Sequence, residues 1–391
     1  MKSVVKYVDS FSYGASHLQV NAGFLIMLIN GYGIVEYAGS KDCLKHIKTI
    51  IPTNDCNNIA SRYYWSIKGK GKWHLLFRYI RSAIINTIEL FRTDRKQLLF
   101  YNFNNVFSTS IINFLNKFLH RRIIILCHGE LELLSDKCEK EGVLQRCLMY
   151  LSRHFFNKKT KYSDNIYFIT LGDSILNNLH QFLTEEQLQR FISIDHPYIF
   201  KIQPNKKNNV RQVIKVGTVG ALSENKGATR LIELSKLINE KSPVSKNIEI
   251  YVVGQVFYPN NELSAVGIKL PKHPDQPVPV EDFEDMINDL DYILFLYDKE
   301  SYKLTASGAI FDAVKHRIPF IALNNDYFSY ITSKYSIPGI LVDEIADIIP
   351  VLFQGDSLKI DYSLFDIAQQ KLSPYSLSKE FNCKLQKLGF S

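Results

Sequence analysis

The chain has 391 residues, of which 46% are hydrophobic and 13% aromatic, with six cysteines and a formal charge of +8. This length exceeds an ordinary single domain, and the apolar fraction supports sizeable cores, which excludes a disordered chain and predicts two domains. The cysteines (Cys43, Cys56, Cys127, Cys138, Cys147, Cys383) form no C-x-x-C pair and no metal-ligand spacing, so they read as reduced thiols, and no metal is expected.

Met1-Lys2-Ser3 runs into a strand-like segment and not into a long apolar leader, and Ala22–Ile29 is too short to span a bilayer. A cytoplasmic protein is expected, at most peripheral on the inner face of the cytoplasmic membrane. The charge is lopsided: residues 1–200 hold 25 Lys and Arg against 16 Asp and Glu, whereas residues 201–391 hold 22 against 23. A basic first half suits a polyanionic partner or an anionic membrane; nucleic acid is not the expected partner.

In chain order, Val4–Val8 predicts a short strand ending at Asp9, and a helical pattern runs from Leu18 to Asn30. The intervening Ser10–His17 carries a glycine between a first strand and a first helix, where open α/β sheets place ligands. Gly14 and His17 are therefore candidates for an acceptor or phosphate loop; the plain alternative is a glycine that merely permits the turn. Gly33–Gly39 is the next strand. From Ser61 to Lys96 the chain is basic and aromatic. Trp73, Leu76, Phe77, Ile80, Ile84 and Ile88 share a helical face, with Lys68, Lys70, Lys72, Arg78 and Arg81 between or before them. Two readings stand: an interfacial helix carrying cations to an anionic membrane surface, or an amphipathic helix packed on its own domain with a solvated basic edge.

Gln97–Tyr101 reads as a strand, Ser108–His120 as a helix, and Arg121–Cys127 as a strand delivering His128-Gly129-Glu130. A histidine at the C-terminal end of a buried parallel strand suits acid–base or substrate-orienting work; otherwise it is a hydrogen-bonded core histidine beside a turn glycine. Leu131–Asn157 reads as mainly helical, Asn165–Ser174 as a strand and the start of a helix, and Phe191–Ile194 as a strand. The polar Gln203–Asn209 is the expected linker.

Beyond it, strands are predicted at Val213–Gly220, Ile248–Gly254 and Tyr292–Leu296, with helices at Ala228–Asn239 and Val280–Asn288. The small-residue turn Thr305-Ala306-Ser307-Gly308 then leads to a helix over Ala309–Lys315 and a strand over Ile318–Leu323. Such a turn offers bare backbone N–H groups at a helix N-terminus and predicts a phosphate seat. Ser376–Leu388 is again helical. Strands alternating with helices on both sides of the linker predict an α/β protein of two Rossmann-like domains with parallel sheets, residues 1–200 and 210–373, the tail helix 376–388 packing back on the first.

Three segments in this second half resemble the C-terminal domain of GT-B glycosyltransferases, nearest the retaining family 4 type. Val219–Gly227 (VGALSENKG) is similar to that family's V-G-R…K-G loop, and Ile250–Gly254 to its following strand and glycine. Asp312-Ala313-Val314 with Ile318–Ala322 is similar to its E-A-M…G-x-P-V-I-A segment. The likeness covers about half the chain. It implies a GT-B fold with a cleft between the domains, and metal-independent, retaining transfer of a glycosyl group from a nucleotide-diphosphate sugar, with no other cofactor.

By matching position, the resemblance implies Lys226 on the donor diphosphate, the turn of Thr305, Ser307 and Gly308 on its phosphates, and Asp312 on the ribose hydroxyls. The plain alternatives are a solvated lysine, a helix N-cap and a solvent-facing carboxylate. Gly14 matches the family's glycine loop and His128 its active-site histidine. Two positions depart. Leu304 stands where the family has its first glutamate, seven residues intervening before Asp312, and Ala221 stands at the arginine of V-G-R. Lys303 is placed to supply the missing cation. The basic first half suits a glycan or lipid-linked acceptor, for example on a polyprenyl diphosphate. The departures leave open a nucleotide-sugar epimerase of the same fold or a non-catalytic partner of another transferase.

Overall fold

Apolar runs of four to seven residues, most of them buried on both faces, build two parallel sheets, as expected where crossovers cover the strands. The computed structural model describes residues 5–69, 71–135, 142–200, 213–241, 247–354 and 360–390; the expected linker Gln203–Asn209 lies outside the described residues. The chain divides into two units, Met1–Ile199 with Leu304–Ala306 and Lys371–Ser391, and Phe200–Lys303 with Ser307–Gln370.

The first unit's sheet comprises β1 (Val5–Asp9), β2 (Val35–Ser40), β3 (Ile59–Tyr64), β4 (Leu98–Tyr101), β5 (Arg122–Leu126), β6 (Ile166–Thr170) and β7 (Phe191–Ser193). Its order is β3-β2-β1-β4-β5-β6-β7, every pair parallel. Fully buried Tyr7 stacks on Tyr37 and Phe100 of the flanking strands, with ring centroids 5.9 and 5.6 Å away. The helix Leu18–Tyr32 is buried along its whole length from Val20 to Ile29. It is largely apolar because the C-terminal helix Pro374–Lys387 packs over it, Phe381 meeting Phe24 edge-on at 6.0 Å.

The second sheet comprises β8 (Val213–Val219), β9 (Asn247–Val253), β10 (Tyr292–Phe295), β11 (Phe320–Leu323) and β12 (Gly339–Val342), parallel in the order β12-β11-β10-β8-β9. Val216, Val252, Leu294 and Ile321 from its strands share one core with Leu231 and Ile348 from its helices.

Several expectations are corrected. Residues 59–64, within or next to the basic aromatic segment, form the edge strand β3. Its sequence Ile-Ala-Ser-Arg-Tyr-Tyr has no apolar run because the strand is largely exposed, as unpaired edges are. Within Leu131–Asn157, expected to be mainly helical, the described residues form a 3-10 turn over Glu130–Leu134 and an α-helix over Val143–Phe155. The helix Lys72–Arg92 packs on its own unit, but with the opposite face to the one expected. Arg78, Arg81, Asn86 and Glu89 are buried, and Trp73, Phe77, Ile80, Ile84 and Ile88 are exposed. Arg78 and Arg81 therefore point inward and are not headgroup-facing cations.

Candidate functional site

In an open parallel sheet, neighbouring strands whose crossovers lead away in opposite directions leave a crevice at their C-terminal ends. In the first unit this switch point lies between β1 and β4, so the loop after β1, Ser10–His17, borders it. The helix Lys72–Arg92 holds that loop with its polar face. Arg81 Nη1 donates to Ser10 O at 2.7 Å, and Ser10 Oγ donates to Asn86 Oδ1 at 2.6 Å. The Arg78 guanidinium lies 4.2 Å from the Tyr13 ring centroid. At the loop's base, buried Asp9 accepts from Ser12 N–H and Asn21 Nδ2, each at 3.2 Å, and burial raises its pKa.

Gly14 takes φ 55°, and His17, just before the first helix, takes φ 53°. His17 is brought to His128, their ring centroids 5.2 Å apart. His128 follows β5, and its Nε2–H donates to Asn102 O, at the end of β4, at 2.8 Å. Burial, and next the nearby His17, lower its pKa to about 3. His128 is thus a neutral imidazole at pH 7 with Nε2 protonated, which leaves Nδ1 as a hydrogen-bond acceptor.

Two neighbours were not singled out from the sequence. Glu130 is buried and accepts from His128 N–H at 3.0 Å; desolvation raises its pKa to about 7. His196, after β7, is lowered to about 4 by burial and also feels His17. The H-G-E triplet carried the signal for Glu130; His196 had none, since it arrives through sheet order. Thr305 groups with this unit, and its Oγ1 donates to His128 O at 2.9 Å.

In the second unit the switch point lies between β8 and β10. Lys226 follows β8; Lys303, Ser307, Gly308 and Asp312 follow β10. Gly227, at φ 87°, presses the Lys226 turn onto the end of β10: a Cβ there would lie 2.2 Å from Leu296 O. Only glycine fits this approach. Lys226 is half-buried, and desolvation lowers its pKa. The N–H groups of Ser307, Gly308, Ala309 and Ile310 donate to no acceptor among the described residues, ahead of the short helix Ile310–His316. Ser307 is buried beside the Tyr297 hydroxyl. Asp312 is half-buried in the helix's first turn.

Lys303 is less available than its position implied, because its Nζ is ion-paired with Glu300 at 2.6 Å. Leu304, at the acidic position of the resemblance, is buried, 1% exposed. A D-x-D triplet, Asp289-Leu290-Asp291, escaped the sequence reading. It lies at the N-terminal end of β10, away from the switch point, where Asp289 Oδ2 pairs with Lys215 Nζ at 2.6 Å and Asp291 Oδ2 accepts from Lys215 N–H at 2.8 Å. Among the described residues no three His, Cys, Asp or Glu side chains group as a metal site.

No protein-family model and no curated protein matches the sequence. Solved structures do match. The α,α-trehalose 6-phosphate synthase from Burkholderia multivorans superposes with a TM-score of 0.59 at 7% identity, over 100% of this chain and 97% of that one. A glycosyltransferase from Rickettsia africae gives 0.58 at 13% identity, over 99% and 98%. A Listeria monocytogenes protein described as a UDP-N-acetylglucosamine 2-epimerase gives 0.54 at 11%, over 100% and 97%. At these identities the likeness establishes architecture and not activity: the chain has the GT-B fold, two parallel sheets flanked by helices.

Proposed function

We propose that the protein is a glycosyltransferase that moves a sugar from a nucleotide-diphosphate donor to a hydroxyl acceptor on a lipid-linked or growing surface glycan. One observation carries this reading: four N–H groups at Ser307–Ile310, unengaged among the described residues, and the half-buried Lys226 border the same switch point of the second sheet. Donors held in place before the reaction stabilise charge without reorganising. As the bond from the anomeric carbon to the diphosphate oxygen breaks, the departing diphosphate gains negative charge. Lys226 and the Ser307 and Gly308 amides meet that charge, and no metal or other cofactor is needed for it. Asp312 takes the ribose hydroxyls. Lys303 contributes only if the diphosphate displaces Glu300.

In the first unit, neutral His128 accepts a hydroxyl hydrogen bond at Nδ1 and so orients the sugar or the acceptor. The Gly14–His17 loop borders the acceptor. A lipid-linked acceptor brings this unit to an anionic membrane surface through residues 61–96, in keeping with a peripheral location on the cytoplasmic face. Among the described residues no helix is long and apolar enough to cross a membrane. A retaining outcome, as in family 4, is part of the proposal.

A second reading has its own support. Leu304 offers no carboxylate to a donor hexose and is buried. That favours a non-catalytic partner of another transferase, or an epimerase whose sugar contacts differ. The test is release of nucleoside diphosphate from a panel of nucleotide sugars, with and without lipid-linked acceptors. Acceptor-dependent release that Lys226→Ala abolishes supports transfer. Acceptor-independent release with a free epimeric sugar indicates the epimerase, and no turnover with any pair sinks the enzymatic reading.

A further inference from the structure

The reversed helix Lys72–Arg92 leaves a face that folding of this unit does not use. It packs beside the helix Val106–Leu119, which packs beside Val143–Phe155, the three meeting through Tyr79, Phe107, Leu144 and Leu148. On their outer sides Trp73, Phe77, Ile84, Phe114 and Phe118 are 54–71% exposed. Single exposed apolar residues are ordinary; a run of large ones along neighbouring helices marks a contact surface.

Charge identifies what covers it. The three helices together carry seven Lys and Arg and one acidic residue, Glu89. Glu89 is buried and ion-paired with Lys6 at 3.0 Å and with Arg92 at 3.7 Å, so the charge it takes up on these helices is that of Arg92. Lys72, Lys117 and Arg146 are exposed on the same helices. A second copy of this chain docked face to face would set cations against cations. An anionic lipid surface meets both features: apolar rings enter the headgroup–acyl boundary, and cations stay among the phosphates.

We infer that this three-helix face seats the protein on an anionic bilayer without crossing it. The inference rests on the membrane-facing part of the proposed function and not on its donor chemistry. It also changes which residues do the work. Arg78 and Arg81 clamp the Ser10–His17 loop, and the lipid contacts come from the opposite side of the helix and from Phe114, Lys117 and Phe118 of its neighbour, outside residues 61–96. Because the loop clamp and the lipid face share one helix, lipid seating sets the loop's position relative to the bilayer.

The test is co-sedimentation of the full chain with vesicles of phosphatidylcholine alone, and of phosphatidylcholine with about a third phosphatidylglycerol. Binding to the anionic vesicles only is expected. Lys72→Glu with Lys117→Glu should weaken it at least about 25-fold, since each cation near such a surface is worth roughly fivefold. Phe77→Ser with Phe114→Ser should weaken it as well. All four side chains are exposed, so unchanged circular dichroism and an unchanged response to nucleotide confirm that each variant is folded and separate this test from the donor reading. Failure of the wild type to bind anionic vesicles, or equal binding to neutral ones, overturns the inference. So does a dimer in solution that Phe77→Ser with Phe114→Ser dissociates, which would assign the face to a second copy.

Discussion

Gly227→Ala tests whether the Lys226 turn is held by backbone contact with the neighbouring strand. Gly227 sits at φ 87° and Gly267, in the same unit, at φ 85°. A left-handed backbone costs an alanine about 1–2 kcal/mol at either position. At Gly267 an added Cβ meets nothing within 4 Å, so Gly267→Ala measures that backbone term alone. At Gly227 the same atom lands 2.2 Å from Leu296 O and 2.8 Å from Leu296 Cβ. The carbonyl belongs to main chain just beyond β10 and cannot swing aside like a flexible side chain. Relieving the overlap should add an overpacking cost of about 1–3 kcal/mol. Gly227→Ala should thus lose about 2–5 kcal/mol, against about 1–2 for Gly267→Ala. Both tryptophans, Trp65 and Trp73, are in the first unit, so urea unfolding of the second is followed by far-UV circular dichroism. Equal losses in the two variants would refute the argument, because the close approach would then carry no energy.

Acid should weaken the first unit. His128 and His196 titrate in the fold at about 3 and about 4, below the unfolded value near 6.5, so their contribution is lost as pH falls below 6.5. Glu130, raised to about 7, works the other way: its folded form keeps a proton that the unfolded chain releases above about 4.5. Between those limits the two histidines outweigh Glu130, while raised Asp9 and lowered His17 act in opposite senses, and stability should rise by about 2–3 kcal/mol from pH 4.5 to 6.5. Glu130→Gln should steepen the rise, and a flat profile would contradict the assignment. Lys6→Met should destabilise, by less than the roughly 3–5 kcal/mol of a fully stranded buried charge, because Glu89 loses its 3.0 Å partner on Oε2 but keeps Arg92 and the Tyr64 hydroxyl on Oε1; the readout is a drop in urea midpoint. In a transfer assay His128→Ala should slow turnover about a hundredfold. The wild-type rate should show no inflection near pH 6.5 from His128, since that imidazole is already neutral there.

The buried strands were plain in the sequence because parallel strands covered on both faces are nearly all apolar: Arg122–Leu126 and Tyr292–Phe295 could hardly be anything else. The edge strand Ile59–Tyr64 was hidden for the converse reason, since exposure removes the apolar signal. In Lys72–Arg92 the periodicity correctly marks two faces, but a period does not say which face turns inward. Here Arg81 and Asn86 bond the Ser10–His17 loop and Glu89 pairs with Lys6 of β1, all far away in sequence, so the usual rule inverts. The candidate donor residues could be nominated locally, each as a loop after a strand. That Lys226 and Ser307 belong to neighbouring strands at one switch point depends on sheet order, which no local pattern encodes. The same limit hid His196; Asp289-Leu290-Asp291, by contrast, is a local pattern open to view in the sequence, and only its place at the opposite end of the strand depends on the fold.

Seating of a nucleoside diphosphate by Lys226 and the Ser307–Ile310 amides is the step on which the proposed transfer depends. It is tested most directly by thermal unfolding of the wild type and Lys226→Ala against a panel of nucleoside diphosphates. A ligand bound only by the folded state at a hundred times its Kd stabilises by about 2.7 kcal/mol, which raises the midpoint by several degrees. Such a rise is expected for one nucleotide in the wild type, and its loss in Lys226→Ala. A wild type that no nucleotide moves, or a shift that survives Lys226→Ala undiminished, would contradict it.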